Sequence, residues 1–286
     1  MDDVDGWAID ADLSFAPLQA LGWDAEWLPW RTPAADWDSF HAVYIAAPWD
    51  YPQDPAGFMR VLEAIDRSTA VLLNDLSLVR WTMAKTYLRD IEVRGGDIVP
   101  SSWYEGFTAD MPDAFFAAAK ADRVIVKPVV STNATDTFLL SATTDAGTAS
   151  VLRDTFRERA FVVQPFIENI QSEGEYSLFF FGNRYSHGIL KTPKPEDFRV
   201  QEEHGSAIVP VEPEAALLHT AARILTLVSP APVYARCDFV RGPDGRFLLM
   251  ELELIEPSMY LRMHADAPRR FAAALDHYVR ARLQRH

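Results

Sequence analysis

Two apolar runs flank Gly242-Pro243-Asp244-Gly245, and they carry four charged residues whose spacing could do chemistry: Arg236 and Asp238 before the turn, Glu251 and Glu253 after it. An Asp-Gly turn between such runs is a strong hairpin signal. With Asp244 and Gly245 as turn residues, Asp238 faces Glu251 and Arg236 faces Glu253. A four-residue loop shifts the register by two and keeps the same side chains together, because strand side chains alternate with period 2. One face then holds Arg236, Asp238, Glu251 and Glu253, and the other is a core face of Cys237, Phe239, Met250, Leu252 and Leu254.

Carboxylates paired across strands lie about 5 Å apart and repel by roughly 3 kcal/mol at an effective dielectric near 20. Two readings account for them. One is a solvated hairpin face on which Arg236 relieves the repulsion; the other is a divalent-cation site. Hard oxygen donors without nearby Cys or His favour magnesium or manganese over zinc. On the second reading, Glu251→Gln removes most activity and leaves thermal stability unchanged or higher, because a like-charge pair is relieved.

The elements that must position this hairpin belong to a chain of 286 residues, 49% hydrophobic and 24% charged, which is the composition of a globular protein with two or three subdomains. Its 27 basic against 41 acidic residues, net −14, argue against a nucleic-acid partner, so an anionic ligand must be held by local cations. The first twenty residues hold five aspartates and no basic residue, the wrong charge for a targeting peptide. There is no 18-residue apolar run, so no membrane span is expected. The single cysteine, Cys237, excludes an intrachain disulfide and fits a reducing, cytoplasmic location. It reads as a small buried apolar residue.

Strands at 42–47 and 71–74, with a helix starting at Asp54-Pro55 between them, imply a parallel sheet. Pro48-Trp49-Asp50-Tyr51-Pro52 follows a strand's C-terminal end, where open α/β sheets place ligand loops; a turn packed on its own domain is the other reading. No apolar strand precedes the helix-like residues 13–21, so a first strand is expected to be missing from this reading frame. Residues 76–90 read as a helix carrying Lys85. The strand 123–128 ends at Lys127-Pro128 and opens into a hydroxyl-rich loop, Ser131 to Thr137, before a strand at 138–140. Such a loop can offer N–H and O–H donors to phosphates, although it lacks the Walker pattern. A helix at 145–159, a strand at 161–167 and a hairpin of 175–181 with 184–191 follow. Residues 192–208 form a long polar loop, often a functional feature. Helices at 213–228 and 268–283 read as structural, and the lone His187 and His204 as satisfied or exposed histidines rather than catalytic ones.

Taken in order, these pieces resemble the ATP-grasp superfamily and its glutathione synthetase-like ligases over residues 74–261. The residues that carry the resemblance are Lys85, Lys127-Pro128, Gln164-Pro165-Phe166-Ile167, Gly174-Glu175, Lys191-Thr192-Pro193, Arg199, Asp238, and Glu251-x-Glu253. Two departures stand out. The lid loop, glycine-rich in most relatives, is Ser131-Thr132-Asn133-Ala134-Thr135, and Glu253 replaces the usual Asn. Glu-Leu-Glu-Leu-Ile-Glu-Pro-Ser, with Trp-Asp-Tyr at 49–51, is similar to a subgroup that includes the ligase closing the ring of D-cycloserine.

The resemblance implies an α/β ATP-grasp fold: a Rossmann-like parallel-sheet domain at 1–78, and an ATP-grasp domain at 79–286 with a lid subdomain at about 110–165 and a C-terminal antiparallel sheet. It implies ATP bound by Lys85, Lys127, Ser131, Thr132, the hinge Gln164, Pro165, Phe166 and Ile167, and Glu175 on the ribose. Two magnesium ions, or manganese, fall to Asp238, Glu251 and Glu253, and catalytic roles to Arg236, Lys191 and Arg199. The expected reaction joins a small carboxylate to an amine through an acyl phosphate, either by ring closure of an amino-acid derivative or between two molecules. A non-catalytic ATP-binding protein and a metal-dependent phosphoesterase are the rival readings. The oligomeric state is open, with a homodimer as one outcome.

Overall fold

The computed structural model describes residue 1 and residues 7–108, 111–195 and 197–284, the side chains of 112 and 146 excepted. The expectation of a missing first strand concerns a segment whose residues 2–6 lie outside that description. After a short helix α1 (Phe15–Ala20), β1 (Ala42–Tyr44) and β2 (Val71–Leu73) pair in parallel. The helix between them, α2 (Pro55–Arg67), starts where expected: the Asp54 carboxylate accepts from Gly57 N at 2.8 Å, and Pro55 has no N–H to leave unpaired. Phe58, Leu62 and Ile65, spaced on one helical face, bury against Leu72 and Tyr51.

The helix expected over 76–90 is instead two, α3 (Leu76–Thr82) and α4 (Tyr87–Val93), with Lys85 in the break. Lys85 N donates to Val129 O at 2.7 Å, a tertiary bond that turns the chain there and overrides local helix propensity. β3 (Ser102–Tyr104), α5 (Met111–Ala119), β4 (Arg123–Pro128), β5 (Phe138–Ser141), α6 (Ala146–Phe156) and β6 (Phe161–Pro165) build the unit expected to be the lid, hereafter the lid. Its antiparallel sheet, in the order β3-β6-β4-β5, packs on Phe115, Phe156 and Phe161. β3 was not anticipated, and it carries the lid sheet back to Ser102, ahead of residue 110.

A short α7 (Asn169–Ser172) leads to β7 (Glu175–Phe181), β8 (Arg184–Thr192), β9 (Ala207–Pro210), α8 (Ala215–Thr226), β10 (Tyr234–Arg241), β11 (Phe247–Glu253) and α9 (Ala267–Leu283). The strands form one antiparallel sheet in the order β11-β10-β7-β8-β9. β9 closes the polar segment read as loop. The free edge of β11 is covered by residues 97–99, where Val99 N donates to Leu249 O at 3.0 Å and Leu249 N to Asp97 O at 2.9 Å. Asn74, fully buried at the end of β2, donates to Tyr234 O and Leu254 O at 3.0 and 2.9 Å and accepts from Val233 N at 2.5 Å. One side chain thereby fixes the N-terminal sheet to both strands of the charged hairpin.

The hairpin turn is longer than the two residues expected. Gly245 N donates to Gly242 O at 3.0 Å and Gly242 N to Arg246 O at 2.7 Å, with Gly245 at φ 81°, a conformation that suits glycine. That turn pairs Arg241 with Phe247 and Phe239 with Leu249; a bulge then inserts Met250, and Asp238 meets Glu251. The expected pairing of charges is therefore present, reached through a turn and a bulge that offset each other. Met250 is moved off the core face, and Leu249 takes the buried place expected for it.

Candidate active site

The charged face of β10 and β11 floors a cleft of about 1640 Å³, its open mouth included, which is also lined by the lid and by the loop after β1. No carboxylate there faces another unrelieved. Arg236 Nε lies 3.1 Å from both Asp238 oxygens, and its Nη2 donates to Asp238 at 3.0 Å and to Glu253. Lys85 Nζ sits 2.9 Å from Glu251. Lys191, cross-strand from Glu175, donates to it at 2.9 Å and lies 3.7 Å from Asp238. Ser177 donates to Asp238 at 2.5 Å.

These neighbours set the protonation states. Burial opposes the charges on Asp238 and Glu251, but Arg236 with Lys191 holds the first, and Lys85 with Lys127 the second, below the ordinary carboxylate range. Burial pushes Glu253 up to about 7 against the pull of Arg236, with Glu251 and Asp238 adding to the rise. Glu175 is raised by burial despite Lys191. Burial pulls Lys127 down and the Lys85 charge reinforces it, with Glu251 resisting. Lys191 is raised, because Asp238 and Glu175 outweigh its burial. The premise behind a stability gain on replacing Glu251 therefore fails: its dominant partner is a buried lysine, and removing its charge removes an attraction.

Among the described residues no cluster of Asp, Glu, His and Cys forms a ready-made metal cage. The carboxylates still suit magnesium, which is commonly held by one or two carboxylates together with water and substrate phosphates. Lys85 and Arg236 meanwhile supply the neutralising charge.

Further along the cleft, Val99, Ile125, Phe166, Ile167, Val240 and Met250 make an apolar wall, with the Arg123 guanidinium 4.3 Å from the Phe166 ring centre. Gln164 lines the same end, but its amide is engaged by Ser101 Oγ at 2.9 Å. Pro165 completes that end. Ser131 O accepts from Lys85 Nζ at 3.0 Å, and Thr132 Oγ1 donates to Trp49 O at 2.9 Å, so the hydroxyl loop touches both the lysine and the aromatic loop. Arg199 lines the cleft while paired with Asp197 at 2.9 Å. Every residue expected to bind nucleotide or metal or to act in catalysis thus borders one cavity, including Lys127 and Glu175.

Some lining residues were not anticipated as site residues. Glu256, Ser258 and Tyr260 follow β11 into the cleft, where Trp49 and Tyr51 meet them; Trp49 Nε1 donates to Glu256 O at 3.0 Å. The aromatic loop borders the cleft and also packs on its own domain, where Tyr51 stacks on Phe58 at 4.9 Å. The signal for Glu256 was present, an acid in an otherwise apolar run beyond the strand, but no spacing rule gave it a partner. Cys237 is buried as expected, and His187 is buried too, stacked on Phe179 at 4.3 Å. No helix among the described residues is long and apolar enough to cross a membrane.

Comparison with known proteins agrees with this geometry. Residues 1–74 match the family model of the D-cycloserine synthetase DcsG N-terminal domain. Cycloserine biosynthesis protein DcsG of Streptomyces lavendulae is 29% identical over 293 residues, covering 95% of this chain and 96% of that protein. The crystal structure of D-cycloserine synthetase DcsG superposes with a TM-score of 0.82 at 26% identity over 93% of each chain. The ATP-grasp ligase PsnB, solved with a minimal precursor, Mg and ADP, gives 0.65 at 15% identity over 94% of each chain, a likeness of fold alone. Together these likenesses indicate an ATP-grasp ligase near the D-cycloserine synthetase subgroup.

Proposed function

We propose that this protein is an ATP-dependent carboxylate–amine ligase that closes the ring of an amino-acid derivative as in cycloserine formation. The observation that carries this reading is the convergence on one cleft of two lid-side lysines, an apolar nucleotide-sized wall, the carboxylate floor and an aromatic loop from residues 1–78. Opening the ring amide of cycloserine gives 2-amino-3-(aminooxy)propanoate, and we take that as the substrate class.

The substrate carboxylate oxygen attacks the γ-phosphorus and ADP leaves. The aminooxy nitrogen then adds to the acyl carbon, loses a proton, and the tetrahedral adduct expels phosphate. Little covalent help is needed, so the protein's task is positioning and charge neutralisation. Lys85 and Lys127 would hold phosphates from the lid side, with Ser131 and Thr132 beside them, while Glu175 meets the ribose. Pro165, Phe166 and Ile167 with Met250 would hold adenine. Asp238, Glu251 and Glu253 would hold two magnesium ions, which draw charge off the transferring group. Lys191 and Arg199, the latter released from Asp197, would steady the γ-phosphate. Arg236, now paired with Asp238 and Glu253, would offer its remaining donors to the oxyanion. The lid at about 110–165 and the polar loop would exclude water from the acyl phosphate, with 79–286 acting as the ATP-grasp unit.

Magnesium-dependent ADP release with 2-amino-3-(aminooxy)propanoate, followed by product mass, tests the reading. Loss of one water from a single substrate supports ring closure. Addition of a second molecule supports joining two substrates, and no ADP release across a panel of amino acids and their aminooxy derivatives rejects a ligase. Assembly as a homodimer belongs to the same proposal, and light scattering reads it.

A further inference from the structure

Among the described residues, Glu256 is the one buried carboxylate of the cleft that the reaction above does not use; Glu202 and Glu203, also unused, line it from more open positions. It is only 7% exposed, yet it lines the cavity just past the carboxylate floor, with Trp49, Tyr51 and Ser258. The cations whose charge reaches it, Lys85 and Arg236, are committed elsewhere: Lys85 to Glu251, and Arg236 to Asp238 and Glu253. Among the described residues it has no ion-pair partner. Burial, with Glu253 and Glu251 adding to it, raises the Glu256 carboxyl well above the ordinary range, so it gains its charge only when an incoming cation supplies the partner. Its other neighbours are aromatic. Tyr51 lies close enough for Glu256 to raise its phenol further above the ordinary range, already raised by burial, and Trp49 is braced by Trp7 at 5.1 Å between ring centres. A carboxylate flanked by aromatic rings is the usual chemistry for receiving an ammonium group.

We infer that Glu256, with Trp49 and Tyr51, forms a subsite for the 2-ammonium group of the substrate and so selects α-amino carboxylates. This rests on the ligase reading and names which part of the substrate the aromatic loop reads. It also sorts the two nitrogens of 2-amino-3-(aminooxy)propanoate. The α-amino group is a base that stays protonated when paired with Glu256, whereas the weakly basic aminooxy nitrogen keeps its lone pair for attack. The backbone of this subsite is fixed from two sides, by Trp49 Nε1 on Glu256 O and by Thr132 Oγ1 on Trp49 O, so lid closure and amine recognition share one loop.

The test is calorimetry on the full chain with magnesium and a non-hydrolysable ATP analogue, titrating 2-amino-3-(aminooxy)propanoate and its des-amino counterpart 3-(aminooxy)propanoate. The wild type should bind the amino compound at least about tenfold more tightly, and Glu256→Gln should erase that preference while leaving affinity for the ATP analogue within about twofold. Equal binding of both compounds by the wild type overturns the assignment, whether or not the variant folds. So does a preference that survives in Glu256→Gln. ADP release and product mass report separately on the ligase reading, so a chain that makes no product yet loses its amine preference with Glu256 refutes the reaction and keeps the subsite.

Discussion

Glu251→Gln separates two contributions of one side chain. In the free protein Glu251 neutralises Lys85, which is 7% exposed and, among the described residues, otherwise donates only to Ser131 O and Oγ. At 2.9 Å the gross attraction is about 6 kcal/mol at an effective dielectric of 20, most of which repays desolvation. Breaking a buried pair costs about 3–5 kcal/mol, but the Glu251 side chain is 29% exposed and Gln keeps a neutral acceptor, so about 1–2 kcal/mol is the expected loss. Relief of repulsion from Asp238 returns little, because Arg236 and Lys191 already neutralise that residue. A loss of this size lowers the melting temperature by about 2–6 °C. In turnover, loss of a metal-binding carboxylate should cost at least about 100-fold in kcat, or about 2.7 kcal/mol. Thermal melts of the free protein and ADP release across a magnesium titration read the two effects. A variant as stable as the wild type refutes the Lys85 pairing; one with wild-type activity and magnesium dependence refutes the metal role.

Other outcomes are open to direct measurement. His187 is pushed down to about 4 by burial, so the unfolded chain binds a proton that the native protein refuses as pH falls from about 6.5 towards 4. Stability should drop by about 2 kcal/mol between pH 7.5 and 5 from this residue, and urea unfolding of His187→Gln should show a correspondingly flatter profile. Asn74→Ala should cost about 2–4 kcal/mol, because it strands Val233 N and the carbonyls of Tyr234 and Leu254 in the interior; denaturant midpoints will show it. Lys127→Met removes a half-buried cation that is already held below its ordinary basicity. It should leave folding intact and weaken binding of a fluorescent ATP analogue at least about tenfold.

What could be read beforehand follows from the range of the forces involved. Strand 123–128 and the hairpin 175–191 were legible because their alternation and turn residues are local, and the structure places β4, β7 and β8 there. The helix over 76–90 misled because its break is made by a bond to Val129, far along the chain. β3 and β9, three and four residues long, exist only through their partners β6 and β8 and carry little pattern of their own. In the cleft, residue types were legible but pairings were not. Nothing local says that Lys85 meets Glu251, or that Gln164 spends its amide on Ser101.

Met250 bears on how such a site can change. Carried onward without the bulge, the register set at Arg241 and Phe247 would put Glu251 opposite Cys237 and bury both glutamates in the core. The extra residue acts as a frame correction within the ladder. Because it absorbs the offset, deleting Met250 leaves Leu249 opposite Phe239 and Glu251 opposite Asp238 in an ordinary ladder, while removing one side chain from the apolar wall. The carboxylate floor and the wall beside it are therefore separable modules on one strand. A lineage could retailor the apolar end of the cleft by a single-codon deletion without disturbing the charges next to it.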